Sequence, residues 1–208
     1  MKELDFAALL CSRLCHDLIS PVGAISNGIE ILADEDDEAM RTEVVKLLEL
    51  SAGQTSNRLK FYRLAFGAAG GIGSQVPIRD AKNATMALFD GTPMTLNWNS
   101  ELGELDKSAV KLLMNMTLVA SETLIRGGEL MVGINVAGQK IKIEVSVRAD
   151  RVIFQDKVRD MICGALDKME ADPKLAPAYL AASVAHQLGS KVDYINHNEN
   201  SFTLKALI

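Results

Sequence analysis

The residues of this chain best suited to chemistry are Cys15-His16-Asp17-Leu18-Ile19-Ser20-Pro21, where an imidazole stands beside a carboxylate and a proline follows shortly after. A histidine can attack an electrophile or move a proton near neutral pH, and an adjacent acid can orient the ring or tune its basicity. Whether the ring is on display depends on the element that carries it. Leu10, Leu14, Leu18, Val22, Ile25, Ile29 and Leu32 recur at spacings of three and four, which predicts a helix over about 5–33 with one apolar stripe. At about 100° per residue His16 lies roughly 200° from Leu14 and Leu18, so it faces outward, with Arg13, Asp17 and Ser20 on its side. Pro21 cannot donate to the Asp17 carbonyl, so the backbone is expected to loosen or kink there. On these grounds alone, an ordinary surface histidine stays an open alternative.

The stripe needs a partner. A second helix is expected over about 38–66, with Val44, Leu47, Leu48, Leu59, Tyr62 and Phe66 as its apolar positions, after the acidic turn Asp34-Glu35-Asp36-Asp37. So short a turn makes an antiparallel hairpin about 45 Å long for arms of roughly 30 residues. Two helices cannot cover the stripe on every side, so two hairpins are expected to pair across a twofold axis as a four-helix bundle, making the protein a homodimer. Folding back at the turn brings Thr55 and Arg58 to about the height of His16. Arg58 then either flanks the imidazole together with Arg13 or is a solvated bundle residue.

Composition excludes several classes. The 208 residues, 48% apolar, can bury one good core or two small ones without covalent staples. Cys11, Cys15 and Cys163 are odd in number and suit reduced thiols in the cytoplasm; Cys11, Cys15 and His16 lack a nearby fourth ligand, so no metal site is expected. No unbroken apolar run has the roughly 18 residues of a membrane span, and Glu3 and Asp5 stand where a secretory leader would be basic. A net charge of −5 with no Lys/Arg run argues against nucleic acid.

Gly67-Ala-Ala-Gly-Gly-Ile-Gly73 reads as a linker rather than a phosphate cradle, since no Lys-Ser/Thr follows it. It separates a hairpin domain, 1–68, from a second domain, 75–208. In the second, helices are expected over 78–89, 107–125, 154–169 and 173–188, and strands over 94–98, 130–136, 141–147, 191–195 and 201–206. Asp106 and Asp172 serve as N-caps, and Gly138 sits in a hairpin turn. The fold class is thus α+β, with a sandwich of helices on one face of a mixed sheet following the helical hairpin. His186 and His197 read as structural or surface residues.

His16-Asp-Leu-Ile-Ser20-Pro21 resembles the phosphoacceptor box of sensor histidine kinases, with Ser20 where that box usually has Thr or Asn. The element order of the second domain resembles their ATP-binding Bergerat fold in a degenerate form. Val119 stands where the resemblance places a magnesium-binding asparagine. Arg148-Ala-Asp150-Arg-Val-Ile stands in place of the Asp-x-Gly-x-Gly loop that reads adenine, and Pro173-Lys-Leu-Ala-Pro177-Ala in place of a glycine-rich phosphate loop. Prolines supply neither the amides nor the freedom such a loop needs.

The whole chain is similar to the ChpT family of alphaproteobacterial histidine phosphotransferases, through Leu10-Cys-Ser-Arg-Leu-Cys-His16-Asp-Leu-Ile-Ser-Pro-Val-Gly-Ala-Ile25 and Arg58-Leu-Lys-Phe-Tyr-Arg-Leu-Ala-Phe-Gly67. The resemblance implies a cytoplasmic homodimer that takes phosphate from the receiver domain of a CckA-like hybrid kinase and passes it to CtrA- and CpdR-like response regulators, with the second domain helping to dock the receiver. His16 would be the nucleophile and Asp17 its orienting acid, unless Asp17 is merely a solvated helix acid. Arg13, Ser20 and Arg58 would contact the partner, whose own Mg²⁺ leaves this chain needing no cofactor. Two other classes stay open: an ATP-dependent autokinase with a divergent nucleotide site, and a non-catalytic receiver-binding adaptor.

Overall fold

The computed structural model describes residues 3–67, 75–168 and 170–208. Helices α1 (Glu3–Asp34) and α2 (Glu38–Ala65) form the expected antiparallel hairpin. Asp37 caps α2, its side chain accepting from the Ala39 amide at 2.9 Å, and Arg41 donates to the Leu32 and Glu35 carbonyls across the turn. The two helices approach closely at buried Gly28, where an added Cβ would stand 2.7 Å from a Leu48 methyl. α1 stays helical through Pro21, which is buried, so the expected loosening does not interrupt the helix. The stretch read as a linker, 68–74, lies outside the described residues.

After the hairpin come β1 (Gln75–Pro77), α3 (Ile78–Phe89), β2 (Met94–Ser100), β3 (Glu104–Asp106), α4 (Lys107–Ser121), β4 (Gly128–Ala137) and β5 (Lys140–Arg148). Then follow α5 (Asp156–Ile162), α6 (Ala176–Gln187), β6 (Val192–Asn198) and β7 (Ser201–Leu207). Five strands make one mixed sheet in the order β2-β4-β5-β7-β6, with β2 parallel to β4 and every other pair antiparallel. β1 and β3, which the sequence did not announce, form a separate antiparallel pair. Period-two alternation puts whole rows of the sheet inward: Leu130, Val147 and Phe202 lie side by side, then Val132, Val145 and Leu204, then Ile134, Ile143 and Ala206.

Two expected helices end early, for local reasons. α4 was expected to reach residue 125 but stops at Ser121, where hydroxyls compete for the last carbonyls: Ser121 donates to the Leu118 oxygen and Thr123 to that of Ala120. Backbone bonds from Thr123 to Ala120 and from Leu124 to Ser121 tighten the exit, and Glu122 is left as the first residue beyond α4. The expected helix over 154–169 is cut by Gly164, whose φ of +109° lies outside the helical region, leaving α5 and a 3₁₀ turn at Leu166–Lys168. The last helix begins as a 3₁₀ turn at Pro173–Leu175, capped by Asp172, and becomes α6 only at Ala176.

α4 is the pivot of the molecule. Every residue from Ala109 to Ser121 except Lys111 is buried, between the sheet on one side and α2, α3 and α6 on the others. Phe61, Tyr62 and Ala65 at the end of α2 belong to the same apolar core as the sheet. Buried Asn115 of α4 donates to the Ala65 carbonyl at 2.7 Å and to that of Lys111 at 2.8 Å, giving the end of α2 a partner that its own helix cannot supply. Asn57 likewise donates to the Ala87 carbonyl of α3, and Phe6 of α1 lies against Tyr179 of α6 with ring centroids 4.8 Å apart.

α1 is long and apolar enough to cross a membrane by length and composition, although no apolar run in it is unbroken. It packs on α2 and α6, yet only 11% of its most apolar stretch is buried within one chain. Replacing Asn115 by Ala strands a buried carbonyl, which costs about 1–3 kcal/mol. Urea denaturation of Asn115→Ala should show that loss; an unchanged midpoint would mean the α2 terminus finds another donor.

Candidate functional site

His16 stands out from α1 with its side chain 77% exposed, whereas the neighbouring Asp17 side chain is only 9% exposed. The ladder of α1 puts Arg13 one turn earlier on the same face, and its Nε donates to Asp17 Oδ2 at 2.7 Å. Tyr62 of α2 donates its hydroxyl to the same oxygen, and His16 Nδ1 lies 3.0 Å from Asp17 Oδ1. The guanidinium of Arg13 reaches onward through Nη2 to Glu122, just past α4. Four side chains from α1, α2 and the exit of α4 thus converge behind one exposed ring.

The charges follow from this. Burial alone would raise the Asp17 carboxyl, but hydrogen bonds from His16 and Tyr62 together with the charge of Arg13 overrule it and hold the group below its ordinary value. Asp17 is therefore a carboxylate and can only accept. It follows that a neutral His16 carries its proton on Nδ1, pointed at Asp17, and leaves the Nε2 lone pair free toward solvent. Tyr62 is pushed well above the usual phenol value by burial and by the adjacent Asp17 charge. Desolvation lifts Glu122 despite the pull of Arg13.

A cavity of about 410 Å³ opens beside the ring. Arg13, His16 and Asp17 form one wall, and Val119, Ile125, Ile153, Phe154 and Val158 line an apolar side. Glu122, Asp172, Pro173 and Lys174 edge the remainder. Val119 and Pro173, singled out above as replacements for a metal-binding asparagine and a glycine-rich loop, both line this hollow.

Among the residues marked from the sequence, His16, Asp17 and Arg13 come together, with Arg13 committed to Asp17 and Glu122. Ser20 is exposed one turn beyond His16. Arg58 does not reach the cavity: it lines a separate groove with Asn57 and Asp90, although its charge is felt by Tyr62. The residue of α2 that bonds within the site is Tyr62, one turn past Arg58 and two past Thr55, the residues expected at about the height of His16. Tyr62 had been counted only as an apolar position, and Glu122 had not been singled out. Asp17 must meet something polar on α2, and that helix offers few polar groups on its inner face. His197 bonds to Thr203 at 2.9 Å, His186 ends α6 exposed, and the three cysteines are free and exposed.

Residues 78–200 match the family described as histidine phosphotransferase C-terminal domain. The chain is 36% identical to the protein phosphotransferase ChpT of Brucella abortus (strain 2308) over 92% of its own length and 90% of that protein's. It superposes on a bacterial phosphotransferase of known structure with a TM-score of 0.86 and 31% identity, covering 99% of this chain and 97% of that one. The histidine kinase domain of a blue-light-activated kinase from Erythrobacter litoralis EL346 matches with a TM-score of 0.50 and 11% identity, covering 91% and 93%; that likeness concerns the fold alone.

Because Asp17 is held below its unfolded value, the stability it contributes is complete above about pH 4 and is lost as pH falls through the folded value. Glu122, held above its ordinary value, acts with the opposite sign and weakens the fold as pH climbs past about 4.3. Denaturation from pH 6 to 2 should therefore show a shallower acid limb in Asp17→Asn than in the wild type. Parallel limbs would mean that Asp17 gains nothing from its donors.

Proposed function

Since the chain belongs to the histidine phosphotransferase family, we propose that His16 takes a phosphoryl group from the aspartyl phosphate of a hybrid-kinase receiver domain and hands it to response-regulator receivers of the CtrA and CpdR kind. The observation that carries this reading is the 3.0 Å contact of His16 Nδ1 with a buried carboxylate on a ring otherwise exposed. In the step itself the Nε2 lone pair attacks phosphorus. An N–P bond forms, the P–O bond to the receiver's aspartate breaks, and that carboxylate leaves with the electron pair. The ring becomes cationic with its proton still on Nδ1, where Asp17 supplies the opposite charge. Reversal onto another receiver retraces the same bonds.

Positioning supplies most of such a reaction, and the partner brings its own Mg²⁺, which neutralises the phosphoryl oxygens. Arg13 has N–H groups beyond the two it uses on Asp17 and Glu122, and these, with Ser20 and Arg58, are the proposed contacts to the receiver. Val119 and Pro173 in the cavity wall favour a transferase that does not draw on ATP. The apolar residues that one chain leaves wet support a homodimer: Val22 is 49% and Ile29 58% exposed on α1, and Leu47, Leu50 and Leu59 are exposed on α2. We place the dimer in the cytoplasm, bound neither to membrane nor to nucleic acid.

Incubated with a labelled phospho-receiver, the wild type should take up label and His16→Ala should take up none while keeping its circular dichroism. Labelled Mg-ATP should leave both unlabelled. Label on His16→Ala would place the acceptor elsewhere, and label from ATP would make the protein a kinase. Separately, Ile29→Glu, at a position open to water in one chain, should convert a dimer seen by light scattering into a folded monomer; a monomeric wild type at micromolar concentration would remove the bundle.

A further inference from the structure

Asp17 has two donors besides the imidazole, and they come from different helices. Tyr62 reaches it from α2, and Arg13 reaches it while also bonded to Glu122 at the exit of α4. The negative charge of Glu122 lies near Asp17 as well and opposes the field that Arg13 exerts there. We infer that Tyr62 and Glu122 are positioning residues for His16, acting through Asp17: the charge of Glu122 opposes that of Arg13, Tyr62 bonds to the carboxylate, and the negative charge left at Oδ1 acts on the ring. The inference rests on the reading of His16 as the acceptor only for its consequence, since the effect belongs to the ring whether or not phosphate arrives.

The two residues pull in opposite directions. Removing the charge of Glu122 leaves the field of Arg13 unopposed, and Asp17 then holds an imidazolium less well. Removing the hydroxyl of Tyr62 takes a donor from Asp17 and leaves it more negative toward the ring. The other charged groups around the same hollow are Asp172 and Lys174 on the 3₁₀ turn before α6, and Arg58 acts at one remove through Tyr62. None of them bonds to Asp17, so both substitutions act against an unchanged background.

The test is an NMR titration of the full-length protein, following the imidazole carbons of its three histidines, with the His16 signal assigned by its loss in His16→Ala. Glu122→Gln should move the His16 midpoint down by about half a pH unit and Tyr62→Phe should move it up by a similar amount. Glu122→Asp, which keeps the charge, should return it toward the wild type. Phosphoryl uptake from phosphoramidate, a donor that needs no receiver, should then slow at pH 6 in Tyr62→Phe, where more of the ring is protonated. Midpoints that stay put, or move together, overturn the inference, even if thermal stability falls in both variants. Opposite shifts in a protein that takes no label from a phospho-receiver would sustain the positioning roles and remove the relay.

Discussion

A carboxylate that leaves water must be given back its hydrogen bonds, and the site of this molecule is organised around that requirement at Asp17. Left alone, a carboxyl with so little exposure would be raised above its ordinary value. Here a guanidinium, a phenol and an imidazole each donate to it, and a group ionised in this way admits only one orientation of the ring beside it. The histidine can therefore stay almost wholly in solvent and still be held in a defined tautomer. All three donors lie on the hairpin, and the further bond of Arg13 to Glu122 ties the same cluster to the exit of α4.

The hairpin was legible because its signals are strong and local: the three-and-four spacing from Leu10 to Leu32, the acidic turn, and the cap at Asp37. Alternation and Gly138 revealed β4 and β5 in the same way. What escaped depended on competition or on distance. The end of α4 is decided by hydroxyls that bid for backbone carbonyls, and the break after α5 by one glycine in a conformation that its neighbours cannot announce. In the site, the His16-Asp17 pair and Arg13 lie within one helix and could be read together. Tyr62 and Glu122 are 45 and 105 residues away from Asp17, and only the helix register and the path of α4 bring them near.

The second domain keeps the frame of a nucleotide-binding sandwich while its hollow has taken other company. A valine and a proline line it, and its open side is walled by the very helix that carries the histidine. Asn115, part of a stretch that resembles a kinase's asparagine-bearing helix, is spent here on the end of α2.

That union has a mechanical consequence. Here α1 is tied to the exit of α4 through Arg13, to α6 through Phe6, and α2 to α4 through Asn115. A movement of one part against the other has to break these ties, so the fold itself fixes where His16 stands relative to the hollow beside it.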